Sequence, residues 1–226
     1  MRYKLSIIAN VLFVMFGCFV IIKRYFFQQN PPAGAPVALS YFEPYIQARM
    51  HVYASCPLDT NDIVMIGTSL TEGFPIETMK NCHIKNRGIA ASQFHHLLGR
   101  LDGILADRPK QIFIEVGTND LTLNKPTDSI VAAYVLLFRK ITSYGKEVYI
   151  QSIPPMDSPY LSKNKQIDSL NTFLRKMCAA TAVHYIDINS ILKKGQGLNP
   201  SWTYDGIHLN AAGYSVWRRT IEPFLQ

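Results

Sequence analysis

The sequence predicts an α/β fold on a parallel sheet, and three observations predict it. Short apolar runs alternate with longer segments of helical periodicity, the arrangement of successive βαβ units. The runs Ile63-Val64-Met65-Ile66, Ile112-Phe113-Ile114-Glu115-Val116 and Val148-Tyr149-Ile150-Gln151-Ser152-Ile153 are almost unbroken in apolar residues, as strands covered on both faces must be. The first two end in glycine and the third in Pro154-Pro155, residues that stop a strand where a loop begins.

In chain order, residues 39–55 have the periodicity of a helix and 62–66 form the first strand, closed by Gly67. A second strand is expected at 84–86 and a helix at 93–105. The third strand, 111–116, is followed by an amphipathic helix at 129–143, and the fourth, 147–153, by a helix at 165–180. A fifth strand at 184–188 and a closing helix at 212–224 complete the alternation. In such sheets ligands bind beyond the carboxyl ends of the strands. The positions to inspect are therefore 67–70, 87–90, 117–120 and the loop before the last helix.

The chain has 226 residues, of which 48% are hydrophobic and 17% charged, which excludes a disordered polyelectrolyte, a collagen-like repeat and a multi-pass membrane protein. The formal charge is +7, but Arg2, Lys4, Lys23 and Arg24 flank a single apolar run, and the remainder carries +3. A domain that mildly basic has no dense cationic stripe, so no nucleic-acid partner is expected.

The apolar run 5–22 has eighteen residues, enough to cross a bilayer as a helix. It ends in Lys23-Arg24 and the bulky Tyr25-Phe26-Phe27, which read as an uncleaved anchor with an aromatic belt. Met15-Phe16-Gly17-Cys18 has the outline of a lipoprotein cleavage site, although Phe16 fits that pattern poorly, and cleavage without lipid is the third reading. Residues 1–24 are thus expected to form a single-pass signal anchor, 25–38 a Pro-rich linker, and 39–226 the domain. The positive-inside rule favours a domain on the extracytoplasmic side, periplasmic or extracellular. Cys18 lies in the anchor, which leaves Cys56, Cys82 and Cys178. Cys56 and Cys82 are expected as buried free thiols, a disulfide between them being the alternative. No Cys/His spacing suggests a metal site.

The expected loops collect an unusual set of groups. Ser69, in Gly67-Thr68-Ser69-Leu70, stands where a strand turns into a helix, and a serine hydroxyl needs an adjacent base to become a nucleophile. Asp205-Gly206-Ile207-His208 supplies an imidazole with a carboxylate three residues earlier, able to hold the ring's tautomer. Asn119, in Gly117-Thr118-Asn119-Asp120, can donate its side-chain amide to an oxyanion, and Gly88 its backbone N–H. Each motif alone reads as a cap or a turn. Their conjunction, each after the right kind of element, does not.

Across residues 60–221 the chain resembles the SGNH hydrolases, also called GDSL-type esterases and lipases. The first block of that family appears as Gly67-Thr68-Ser69-Leu70, with Thr68 in place of the usual aspartate. The second block's glycine matches Gly88 in Asn86-Arg87-Gly88-Ile89, the third is Gly117-Thr118-Asn119-Asp120, and the fifth is Asp205-Gly206-Ile207-His208. The resemblance implies a three-layer α/β/α sandwich with a five-stranded parallel sheet and no cofactor. It makes Ser69 the nucleophile, His208 the base, Asp205 its orienting carboxylate, and the Ser69 N–H, Gly88 N–H and Asn119 side chain the oxyanion hole. Thr68, Asp120, Trp202 and Tyr204 are candidate substrate contacts, core packing being an equal reading for the last two.

Other conspicuous groups carry less. His95 and His96 open a helix and are expected at the surface or behind the site. Glu115 is expected to bond within the fold, and Lys193-Lys194 to be a solvated helix end. His51, His83 and His184 have no partner at readable spacing. The expected function is a membrane-anchored serine esterase acting on short acyl, chiefly acetyl, esters, on a small molecule or a glycan. The alternatives are an envelope polysaccharide O-acetyltransferase, a lysophospholipase or thioesterase with the same triad, and a binding module impaired by Thr68. The sequence is silent on the oligomeric state.

Overall fold

In a computed structural model, residues 41–79 and 83–225 are described. The expected anchor, the linker and Cys82 lie outside the described residues, and among those described no helix is long and apolar enough to cross a membrane. Helix α1 (Glu43–Ala54) leads into β1 (Ile63–Gly67), the short α2 (Ser69–Glu72) and β2 (Ile84–Gly88). Helix α3 (Phe94–Ala106), β3 (Gln111–Ile114), α4 (Thr118–Thr122), α5 (Thr127–Ile141) and β4 (Glu147–Gln151) follow. The chain closes with α6 (Asn164–Ala179), β5 (His184–Ile186), α7 (Ile188–Leu192), a two-stranded ribbon of β6 (Lys193–Lys194) and β7 (Gly197–Leu198), and α8 (Ala211–Ile221).

The five main strands form one parallel sheet in the order β2-β1-β3-β4-β5. Alternate residues of each strand point to opposite faces, and the two cores divide accordingly. Val64, Ile66, Ile112, Ile114, Val148 and Ile150 pack with α3, α5 and α6 on one side. Ile63, Met65, Phe113, Tyr149 and Ile186 pack with α7 and α8 on the other. The result is the expected three-layer α/β/α sandwich. Trp217 is fully buried in the second core, and its ring N–H donates to Gln151 Oε1 at 2.6 Å, which satisfies the one polar atom it carries inside.

Several expectations shift for physical reasons. β2 runs two residues beyond its expected end, because Asn86 and Arg87 belong to a half-exposed border strand that tolerates polar side chains. β5 stops at Ile186, where the Asp187 side chain accepts from Ser190 N and caps α7. Lys193 does end a helix, as the C-terminal cap of α7, but Lys194 continues into a ribbon: Gly195, at φ +64°, turns the chain so that Lys194 pairs with Gly197. Lys193 itself reaches Asp168 at 3.1 Å. His184 and His83 do have partners, Glu147 at 2.8 Å and Asp62 at 3.7 Å, supplied by neighbouring strands or strand ends rather than by nearby sequence. Cys56 is a free thiol but exposed, against the expectation of burial. Cys178 is buried, and burial pushes its thiol up to about 12.

Candidate active site

The turn after β1 is shaped by what it must avoid. A Cβ on Gly67 would lie 2.1 Å from Thr71 Oγ1 and 2.5 Å from the Glu115 carbonyl, so only glycine fits. Thr68 follows in an extended conformation and caps α2, its Oγ1 accepting from Leu70 N. This places Ser69 at the first position of α2, where the backbone N–H has no partner within the helix.

The Ser69 hydroxyl lies 2.8 Å from His208 Nε2, and His208 Nδ1 lies 2.6 Å from Asp205 Oδ2. A carboxylate accepts only, so it fixes the proton on Nδ1 and leaves Nε2 free to accept from Ser69. The loop that presents these two residues is held largely by itself. Asp205 Oδ1 accepts from the N–H groups of Ile207 and His208 at 3.0 and 2.7 Å. Thr203 Oγ1 donates to the His208 carbonyl at 2.7 Å and accepts from Gly206 N at 2.9 Å. Gly206 adopts φ +88°, and a Cβ there would sit 2.4 Å from the Ser158 carbonyl. Partial burial raises the Asp205 carboxyl, but the hydrogen bonds from the His208 ring and from two backbone N–H groups outweigh it, leaving the group below its ordinary range.

Asn119 follows Gly117, whose φ of +117° turns the chain from β3 into α4. Its side-chain nitrogen donates one hydrogen to the Ser92 carbonyl at 2.8 Å, and an amide nitrogen has a second to offer. Residues 89–92 form the remaining loop at this end of the sheet. Ala91 holds φ +59°, a left-handed conformation unusual for alanine. Among the described residues its N–H has no acceptor.

Four expected contacts are placed elsewhere. The Gly88 N–H donates to Asn86 Oδ1 at 2.8 Å and is not available to an oxyanion. Glycine is required there because a Cβ would lie 2.1 Å from Glu72 N, so α2 could not approach β2. Thr68 is fully buried, its hydroxyl donating to Glu115 Oε2 at 2.8 Å, which removes it from any substrate surface. Asp120 is buried beneath α3, accepting from Phe94 N and pairing with Lys125 at 2.7 Å. Trp202 is half-buried and packs against the core beneath α8. Tyr204 does reach the site: 71% exposed, its ring stacks on His208 with centroids 5.8 Å apart.

The sequence places Glu115 within the fold and gives it no role at the site. It is fully buried and accepts from Thr68 N, Thr68 Oγ1, Thr71 Oγ1 and Thr118 Oγ1, tying the turn that carries Ser69 to the loop that carries Asn119. Burial raises its carboxyl above the ordinary value, and the bonds from Thr68, Thr71 and Thr118 counter this only in part. The signal was a carboxylate inside an otherwise apolar strand run, which must be hydrogen-bonded wherever it is buried.

Glu43, His95 and His96 bring three possible metal-ligating atoms within 4.8 Å. His96 is buried rather than at the surface, unlike its exposed neighbour His95. His96 Nδ1 accepts from Gln93 N, so its Nε2 carries the proton and donates to Glu43 at 3.0 Å. That arrangement caps α3 and offers a cation no lone pair at Nε2.

Comparison with known proteins points to one family and one fold. The model of the GDSL-like lipase/acylhydrolase family matches residues 65–216. The N-acylneuraminate cytidylyltransferase of Escherichia coli O18:K1:H7 (strain RS218 / NMEC) is 27% identical over 168 residues, 71% of this chain. The chain spans only 39% of that relative's length. Among solved structures, a GDSL-like lipase from Bacteroides thetaiotaomicron superposes with a TM-score of 0.69 at 20% identity, covering 79% of this chain and 96% of that one. The acetylxylan esterase Axe2 from Geobacillus stearothermophilus gives 0.59 at 16% identity, covering 74% and 95%. Both likenesses are of fold.

Proposed function

The chain belongs to the GDSL-like lipase/acylhydrolase family; from that premise we propose that it is a carboxylic ester hydrolase of the SGNH type, removing short acyl groups, chiefly acetyl, from carbohydrate through a covalent acyl-enzyme. The observation that carries the reading is the hydrogen-bonded line from Ser69 Oγ through His208 to Asp205. His208 Nε2 takes the serine proton as Oγ attacks the ester carbonyl, and Asp205 stabilises the imidazolium that forms. The tetrahedral oxyanion is held by the Ser69 N–H, the second hydrogen of the Asn119 amide and the Ala91 N–H, which replaces the Gly88 N–H in this role. His208 then protonates the leaving alcohol, and water releases the acid by the same route reversed.

Two relatives support a sugar-borne ester, since one is named for N-acylneuraminate and another for acetylxylan. Residues 5–22 have the length and flanks of a single-pass anchor, and we place 39–226 as the catalytic domain on the extracytoplasmic side. The test is hydrolysis of p-nitrophenyl acetate, butyrate and octanoate by the detergent-solubilised full chain, beside Ser69→Ala. Acetate turnover that the variant abolishes is the expected result and directs the search to acetylated glycans. A preference for octanoate would move the substrate to lipids, and no turnover by folded protein would overturn the reading.

A further inference from the structure

We propose that Glu72, gripped by helix α1, positions the loop that carries the oxyanion donor, so that the working apparatus begins upstream of residues 65–216, which the family model matches. This rests on the reading of Ser69 as nucleophile and of the Ala91 N–H as oxyanion donor. Helix α1 (residues 43–54) lies ahead of the matched residues 65–216. Its buried side chains nevertheless land on the catalytic loop. Ile46 is 1% exposed and packs with Ile89 and Ala91, with Phe42, Met50 and Tyr53 around them. Tyr53 donates its hydroxyl to the Gly88 carbonyl at 3.1 Å.

Glu72, the last residue of α2, is where the pieces meet. Its Oε1 accepts from the Tyr45 hydroxyl and lies 3.7 Å from Arg49 Nε. Its Oε2 accepts from Ala90 N at 3.2 Å. One carboxylate therefore joins the helix that starts with Ser69, the helix that precedes the family span, and the residue before Ala91. An alanine keeps a left-handed conformation only where its surroundings over-determine it. On the near side the restraint is the Glu72–Ala90 bond and the Ile46 contact. On the far side Ser92 is held three times, by its N–H to the Ile89 carbonyl, its hydroxyl to the Gly67 carbonyl, and its own carbonyl to Asn119. Glu72 touches no reacting atom; it is a positioning residue that acts through Ala91.

The test uses the full chain in detergent, comparing Glu72→Gln and Tyr45→Phe with Leu136→Ala, a control on the exposed face of α5. Functional sites are counted by stoichiometric phosphonylation of the serine, so that loss of folded protein is separated from loss of rate per site. A trifluoromethyl ketone, whose adduct carries an oxyanion, reports on the hole itself. Glu72→Gln is expected to lower kcat per titrated site about 10- to 100-fold, the cost of a misplaced catalytic group, with KM changed less than about threefold. Its affinity for the ketone falls by a matching factor, and Tyr45→Phe shows both effects in smaller measure. Wild-type kcat per site and ketone affinity in both variants would overturn the proposal, however few sites titrate. If Glu72→Gln does not fold, Tyr45→Phe decides alone. Wild-type protein that neither reacts with the phosphonate nor hydrolyses acetate would instead overturn the Ser69 reading, and this proposal would fall with it.

Discussion

The two halves of the site are built on different principles. The half that carries Ser69, Ala91 and Asn119 grows from the ends of β1, β2 and β3, and the groups beneath it are sealed: Thr68 and Glu115 have no exposed surface. Its bonds span long stretches of chain, from Thr68 to Glu115 and from Ser92 to Asn119. The half that carries Asp205 and His208 sits on a loop with side chains 41% and 31% exposed, tied mainly by bonds among residues 203–208. Its firmest attachment to the sheet side is the Asp157 N–H donating to the Gly206 carbonyl at 2.7 Å. On the proposed mechanism the sheet therefore sets where the oxyanion forms, whereas the base is adjusted locally. Substitutions in the first half should cost both stability and rate, and those in the second chiefly rate.

Asp205→Asn gives the sharpest break between the halves. It should leave the melting temperature nearly unchanged and lower kcat by about 10⁴, because the wrong imidazole tautomer faces Ser69. A large loss of stability with it would contradict the local character of that loop. Asn119→Ala comes next, at about 10²–10³ in kcat for one lost oxyanion donor, with some destabilisation from the orphaned Ser92 carbonyl. Thr203→Val removes the hydroxyl that bonds the His208 carbonyl and the Gly206 N–H. We expect a loss of about 10-fold in kcat, in line with a partly displaced catalytic group, read from steady-state kinetics.

The smallest effects are in the pH dependence of stability, and there the halves have opposite signs. Asp205 titrates lower in the folded chain than in the unfolded one, so its contribution is present above the ordinary carboxylate range and lost as pH falls through the folded value. Glu115 titrates higher when folded, so stability is fullest below the ordinary glutamate value and declines as pH rises toward the folded one. Melting temperatures from pH 3 to 8 should show Asp205→Asn flattening the acid limb and Glu115→Gln flattening the decline towards neutrality. The same slope in both variants would remove the distinction between the halves.

Legibility in the sequence follows the same division. β1, β3 and β4 could be read because strands covered on both faces are apolar without interruption, and β1 starts within one residue of its expected position. The juxtaposition of Asp205 and His208 could be read because their partnership is three residues long. What escaped depends on burial that arrives from elsewhere in the chain. Thr68 and Asp120 look like site residues by adjacency, yet α3, Glu115 and Lys125 absorb them. Gly88 looks like a donor, but its N–H is taken by Asn86, two residues back, and the free N–H belongs to Ala91, whose conformation no local residue preference announces. The motif marks the place and the packing decides which atoms face outward.

The sheet's two borders bear on a problem separate from catalysis. A parallel sheet that ends in open strands can grow by accepting a strand from another copy whenever two molecules meet. Here one border, β2, carries Lys85 and Arg87, and the other, β5, offers only three residues with His184 at its start. A charged border and a short one both resist that kind of growth, so each molecule keeps its sheet to itself.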